Sequence, residues 1–220
     1  MNNLIIMEEK KDNQKGKTDG KKFLTIANTI FSPIYPVIAS QILANTSIHT
    51  GKALDVGTGP GHLATALAEA SELEVAALDN SEEMIQICTD RIIEKGLAGR
   101  VRTAHGDVCA IPFDDESFDL IVSRGSWFFW EDLPKGLMEI YRVLKPGGKT
   151  YIGGGFGTAS LKKQIVSAMK EKEPDFENGI KERVLSRSPD IVASALNKAG
   201  VHNYSIIDDE SGFWLIMVRE

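Results

Sequence analysis

The chain has little of what would staple, ligate or anchor it. Its two cysteines, Cys88 and Cys109, are too few for a disulfide framework and lack the C-x-x-C spacing of a metal or redox pair. Its four histidines, His49, His62, His105 and His202, fall at no ligand spacing, so no metal is expected. No apolar run reaches the roughly 18 residues of a membrane span. The opening Leu4-Ile5-Ile6-Met7 is too short for the apolar core of a secretory signal before it meets Glu8-Glu9-Lys10-Lys11. These absences predict a soluble, untargeted protein of the reducing cytoplasm with no membrane partner.

An excess of positive charge is missing as well. The net charge is -6, and residues 8–22 carry six lysines against four acids, so the remainder holds about -8. An acidic body argues against a nucleic acid as partner, because such binding rests on neutralising phosphates. The lysines of residues 1–22, interleaved with Gly16 and Gly20, read as a solvated polar tail.

What is present is a strand-to-helix glycine turn. Ala53-Leu54-Asp55-Val56-Gly57-Thr58-Gly59-Pro60-Gly61-His62-Leu63 joins an apolar strand to a helix. Glycine permits a tight turn and a close approach by a ligand, and the helix N-terminus points into the same crevice. The glycines fall as G-x-G-x-G, so the G-x-G-x-x-G dinucleotide fingerprint is not met. A second acid, Asp79, closes the apolar Val75-Ala76-Ala77-Leu78 at the tip of the second strand, where a carboxylate faces ribose hydroxyls. A nucleoside ligand is expected. Further along come Gly106-Asp107-Val108, the segment Phe118-Asp119-Leu120-Ile121-Val122-Ser123, and Leu144-Lys145-Pro146-Gly147-Gly148.

Strand and helix patterns alternate along the chain. Residues 23–47 predict a helical N-terminal cap broken at Pro33 and Pro36, and residues 48–220 a single domain. Within that domain we expect strands at 52–57, 74–79, 100–104, 118–123 and 149–153, and helices at 61–70, 82–95 and 132–144. Helices at 159–172, 177–186 and 189–199 follow, then a hairpin from Tyr204-Ser205-Ile206-Ile207 and Gly212-Phe213-Trp214-Leu215-Ile216-Met217-Val218. Ser81 reads as a helix N-cap, and Gly96 and Gly147 as residues just beyond helix ends. The alternation predicts an α/β fold, a parallel sheet covered by helices on both faces.

In order and spacing these segments resemble the class I S-adenosylmethionine-dependent methyltransferases, over roughly residues 51–155. That family carries an E/D-x-G-x-G-x-G turn, an acid after strand two, a G-D/N-x turn after strand three, a D-x-I/V-x strand four and an L-K-P-G-G turn before strand five. Within it, the quinone-biosynthesis-like, small-molecule branch is the nearest pattern. The resemblance implies a Rossmann-like, doubly wound sheet of seven mostly parallel strands with the last strand antiparallel. It also implies S-adenosyl-L-methionine as cofactor and S-adenosyl-L-homocysteine as product. Asp55, Gly57, Thr58, Gly59 and Gly61 would face the methionine part, and Asp79 would take the ribose hydroxyls. Asn80 and Met84 would lie along the adenine, Asp107 and Val108 would bond its edge, and Ser123 would complete the cofactor set.

The acceptor side departs from the family patterns. After strand four the chain reads Ser123-Arg124-Gly125-Ser126-Trp127-Phe128-Phe129-Trp130-Glu131-Asp132, without the D/N-P-P-Y/F of enzymes that methylate amide or base nitrogens. Small-molecule relatives often read S-x-x-x-x-H-x-x-x-D here. Phe128 takes the histidine slot and removes the obvious general base, so no catalytic residue is assigned. Tyr35, Arg124 and Trp127 are the expected acceptor contacts: an apolar wall with a cation for a carboxylate or phosphate. A small-molecule acceptor is expected, with the oligomeric state open. An RNA or protein acceptor, a non-catalytic S-adenosylmethionine-binding module and a nicotinamide oxidoreductase stay as alternatives.

Overall fold

The structure is a computed structural model that describes residues 24–220. The polar tail expected at residues 1–22 and the first cap residue, Phe23, lie outside the described residues.

Seven strands form one sheet in the order β3-β2-β1-β4-β5-β7-β6. They are β1 (Thr50–Val56), β2 (Glu72–Asp79), β3 (Val101–His105), β4 (Phe118–Arg124), β5 (Leu144–Gly155), β6 (Tyr204–Asp209) and β7 (Gly212–Met217). The pairs among β1 to β5 are parallel, and β7 enters antiparallel between β5 and β6. The chain order reverses at β1, which pairs with β2 on one side and β4 on the other. The carboxyl end of β1 is therefore the switch point where open α/β sheets form a crevice.

The helices are residues 24–29 (α1), α2 (Ile34–Thr46), α3 (His62–Ala70), α4 (Glu82–Glu94), α5 (Leu133–Val143), α6 (Ala159–Lys170), α7 (Phe176–Leu185) and α8 (Pro189–Lys198). Period-two alternation sends neighbouring strand residues to opposite faces. Ala53, Leu120 and Val122 pack with Ile34, Ile38 and Ile42 of α2 and Leu63 and Leu67 of α3. Leu54, Val56 and Ile121 pack with Leu137 and Ile140 of α5 and Val192 and Leu196 of α8. Each such fully buried aliphatic side chain contributes about 1.5–3 kcal/mol. Helix starts follow local chemistry. Ser81 Oγ accepts from Met84 N and caps α4, Asp132 Oδ1 accepts from Lys135 N and caps α5, and Gly96 follows α4 in the left-handed region.

Two expectations are corrected. Pro36 does not break the cap: it sits in the first turn of α2, where N–H groups have no intrahelical partner to lose. Lys145-Pro146-Gly147-Gly148 is not a turn that stops a helix ahead of a short strand. β5 begins at Leu144, opposite Phe118, and resumes at Lys149, opposite Leu120. The four residues between bulge out of a strand that pairs with β4 on both sides of them. Gly148 fits there because a Cβ would come within 2.8 Å of the Lys145 carbonyl and 3.0 Å of the Asp119 carbonyl.

Candidate functional site

The glycine turn leaves β1 held by its own backbone. Gly57 N and Thr58 N both donate to the Leu78 carbonyl of β2, at 2.8 and 2.9 Å, and Gly61 N donates to the Thr58 carbonyl. Gly57 has φ +68, and a Cβ there would lie 2.3 Å from the Cβ of Ser126. The loop after β4 thus closes directly on the turn. Ser126 is the residue that sequence reasoning missed: its Oγ donates to the Val56 carbonyl, accepts from Trp130 Nε1 and meets Ser123 Oγ at 2.6 Å. A serine two residues past a strand gives no signal of its own in the sequence. Gly61 serves packing, since a Cβ at its φ of +80 would meet Cys88 Sγ of α4 at 2.5 Å.

The two strand-end acids converge. Asp55 is 1% exposed, and its Oδ2 accepts from Thr58 Oγ1 at 2.7 Å. Burial pushes its carboxyl up to about 7. The Thr58 hydrogen bond opposes that shift, and the charge of Asp79 reinforces it. Asp79 Oδ2 accepts from Gly59 N at 2.8 Å and Oδ1 from Ser81 N at 2.9 Å, so this carboxylate ties the turn to the start of α4.

The N-terminal cap is fastened to the same turn. Arg91 of α4 donates through Nε to the Pro60 carbonyl at 2.7 Å and through Nη2 to Asn28 Oδ1. His62 Nε2 meets Asn28 Oδ1 at 2.9 Å, and the His62 ring stacks on Tyr35 at 4.7 Å. Burial and the nearby Arg91 lower the imidazole to about 3, so His62 is neutral near pH 7.

A cavity of about 790 Å³ opens along the carboxyl edge of the sheet. Asp55, Gly57, Thr58, Gly59, Pro60, Asp79 and Met84 line one end, and Tyr35 and Arg124 the middle. Phe128, Phe129, Phe156, Phe213 and one face of α7, Phe176, Ile180, Arg183 and Val184, line the other end. The α7 stripe was missed, although its i, i+4, i+8 spacing of apolar residues is visible in the sequence. Ile26, Ala27 and Phe31 of the cap also line the cavity.

Other expected site residues make hydrogen bonds and packing contacts of their own. Asn80 offers its carbonyl to His105 Nε2, Asp107 Oδ1 accepts from Cys109 N, and Val108 packs beside Gly136. None of these, nor Gly61 or Ser123, lines the cavity. Trp127 is fully buried in the core, stacked on Phe213, with its carbonyl held by Arg187. The expected aromatic wall is built from its neighbours Phe128 and Phe129 instead, because the short 3-10 turn Trp127–Phe129 points successive rings in different directions.

Comparison with known proteins agrees with this geometry. The family profile described as "Methyltransferase domain" matches residues 54–152, from β1 to β5. A Methanococcus maripaludis protein assigned to the S-adenosyl-L-methionine-dependent methyltransferases is 41% identical, with a TM-score of 0.89 over 92% of this chain and 93% of that one. The demethylmenaquinone methyltransferase of Geobacillus kaustophilus is 38% identical over 113 residues, 50% of this chain and 48% of the relative. The chain thus spans about half the length of the curated relatives it matches. Phosphoethanolamine N-methyltransferase 2 of Haemonchus contortus, solved with S-adenosyl-L-methionine, is 27% identical with a TM-score of 0.57 over 77% of this chain and 38% of its own. The ordered motifs, the sheet order and the near full-length likeness lead to one conclusion: the chain belongs to the class I S-adenosylmethionine-dependent methyltransferase family.

Proposed function

We propose that the chain transfers the methyl group of S-adenosyl-L-methionine to a small organic acceptor, by in-line displacement, and releases S-adenosyl-L-homocysteine. One observation carries this reading: a single cavity joins the glycine turn with its two acids to an aromatic chamber. The residues fit the cofactor by the chemistry of their donors and acceptors. Asp79 presents two acceptor oxygens suited to a vicinal diol, and Asp55 a buried carboxylate suited to a cationic amino-acid end. Met84 lies beside the turn for an adenine.

The bound cofactor supplies an already activated methyl group. What the chain adds is placement. Asp79 and the turn fix the ribose, Asp55 fixes the amino-acid end, and the Phe128, Phe156 and Phe213 walls hold the acceptor and exclude water. Cap residues Ile26, Ala27 and Phe31 close over the pair. No histidine lines the cavity, and His62 is occupied in bonding the cap through Asn28. We assign the rate chiefly to orientation. The test is calorimetric titration with S-adenosyl-L-homocysteine, followed by transfer of labelled methyl across a panel of small metabolites. Binding together with transfer upholds the reading. Binding with no transfer to any metabolite, but transfer to RNA or protein, replaces the acceptor class.

A further inference from the structure

Arg124 is a half-buried cation that no acid pairs with among the described residues. It closes β4 between the glycine turn and the end of β5, and its guanidinium packs against the rings of Phe31, Tyr35 and Phe156, 5.3, 5.6 and 6.0 Å from their centroids. Nε and Nη2 both donate to the Gly155 carbonyl, at 3.3 and 3.0 Å. Among the described residues the side chain that hydrogen-bonds to it is the Tyr35 phenol, which burial keeps neutral, and no aspartate or glutamate pairs with it. The acids that line the cavity are Asp55 and Asp79 by the turn, Glu173 after α6, and Asp208, Asp209 and Glu210 where β6 turns into β7. Rings and one carbonyl offset part of the cost of enclosing a guanidinium, and an anion is what completes the offset.

The surrounding rings lead away from the glycine turn. Phe31 lies 6.2 Å from Phe156 and 6.2 Å from Phe176 of α7, so the guanidinium stands at the inner wall of the aromatic chamber. Lys162 and Arg183 also line the cavity, but among the described residues neither acts on the Arg124 charge, and a single charge in a planar fork matches a carboxylate better than a phosphate dianion.

We propose that Arg124 seats a carboxylate carried by the methyl acceptor, whose apolar body lies along Phe128, Phe156 and the Phe176, Ile180 and Val184 face of α7. This rests on the methyltransferase reading above and narrows its acceptor to apolar monocarboxylates. The carboxylate end fixes the acceptor at one point, and the rings fix its plane.

The test is an NMR titration of the S-adenosyl-L-homocysteine-loaded protein with benzoate, 3-phenylpropionate and decanoate, each against its amide. At least one acid is expected to bind about tenfold or more tightly than its amide, the scale of a charged hydrogen-bonded contact. Arg124→Gln should erase that difference and Arg124→Lys should keep part of it, with S-adenosyl-L-homocysteine affinity within about twofold of wild type in both. If Arg124→Gln does not fold, Arg124→Lys carries the same contrast. Acids that bind wild type no better than their amides overturn the proposal. So does a variant that weakens S-adenosyl-L-homocysteine but not 5′-methylthioadenosine, which lacks the amino-acid end, because the guanidinium then holds the cofactor's own carboxylate. Wild-type protein that binds no S-adenosyl-L-homocysteine refutes the methyltransferase reading itself, a result distinct from a cofactor-competent protein that ignores acids.

Discussion

Single residues at the turn have two jobs, and their variants should show both. Asp79 accepts from Gly59 N and Ser81 N, the same oxygens the ribose hydroxyls need. Asp79→Ala is expected to weaken S-adenosyl-L-homocysteine binding by about 2–4 kcal/mol and also to cost folding stability of about 1–2 kcal/mol, since two backbone donors lose a charged acceptor. Calorimetry and a melt measured together check it, and unchanged affinity in a folded variant removes the ribose role. Asp55 gives the pH dependence. Its carboxyl is raised from 3.8 to about 7 by burial, so the stability it contributes is full below its unfolded value and is lost as pH rises through about 7. A cationic ligand end beside it favours the carboxylate, so binding at pH 6 should release a proton and affinity should rise toward neutral pH. Calorimetry at pH 6 in two buffers of different ionisation enthalpy reads that proton. It should vanish in Asp55→Asn, and its persistence there would assign it to another group. At Gly57 the sequence suggests only that a ligand needs bare backbone. The structure adds Ser126 at 2.3 Å from a Cβ, so Gly57→Val should lower the melting temperature as well as abolish cofactor binding.

Elements were legible where their signal is local. The strand-to-helix turn, the Ser81 cap and the closing hairpin follow from period, glycine and capping chemistry, and the seven mostly parallel strands with an antiparallel last strand follow from the family resemblance. What the sequence hid depends on contacts distant in the chain. Trp127 reads like its aromatic neighbours but faces the core, and Ser126 gains its role only when β4 is placed beside β1. Lys145-Pro146-Gly147-Gly148 reads as a helix stop and becomes a bulge because both flanks pair with the same strand. The cap shows the same dependence. Ile34, Ile38 and Ile42 are fully buried against α3 and the sheet, so removing residues 1–46 should unfold the protein rather than merely open the cavity. The gentler test is Asn28→Ala, which removes the acceptor shared by His62 Nε2 and Arg91 Nη2. It should weaken S-adenosyl-L-homocysteine binding several-fold while far-ultraviolet circular dichroism stays unchanged, the scale of about one hydrogen bond. Affinity equal to wild type would show that α1 covers the cavity without this tie.

At the scale of the whole molecule, the two cores lie on opposite faces of one sheet and the cavity runs along the edge they share. A ligand in that cavity touches β1, β2, β4, β5, α1 and α7 together, so binding should stabilise the entire fold rather than one end of it. Mass action fixes the size of the effect. S-adenosyl-L-homocysteine at one hundred times its Kd adds about 2.7 kcal/mol to the folded state. A chain of this length gains about 2–4 °C per kcal/mol, so the melting temperature should rise by roughly 5–10 °C. Asp79→Ala at the same concentration should gain less than about 4 °C, because a loss of 2–4 kcal/mol in affinity lowers the ligand from one hundred times Kd to between about three times and about one tenth of it. A nicotinamide dinucleotide at equal concentration should shift neither protein, since the turn lacks the third glycine of G-x-G-x-x-G. A thermal scan of wild type and variant with each compound decides between the two cofactors. A dinucleotide shift matching that of S-adenosyl-L-homocysteine would mean that the cavity selects for an adenosine alone, and the reading of Asp55 as partner of the cofactor's amino-acid end would then have to be given up.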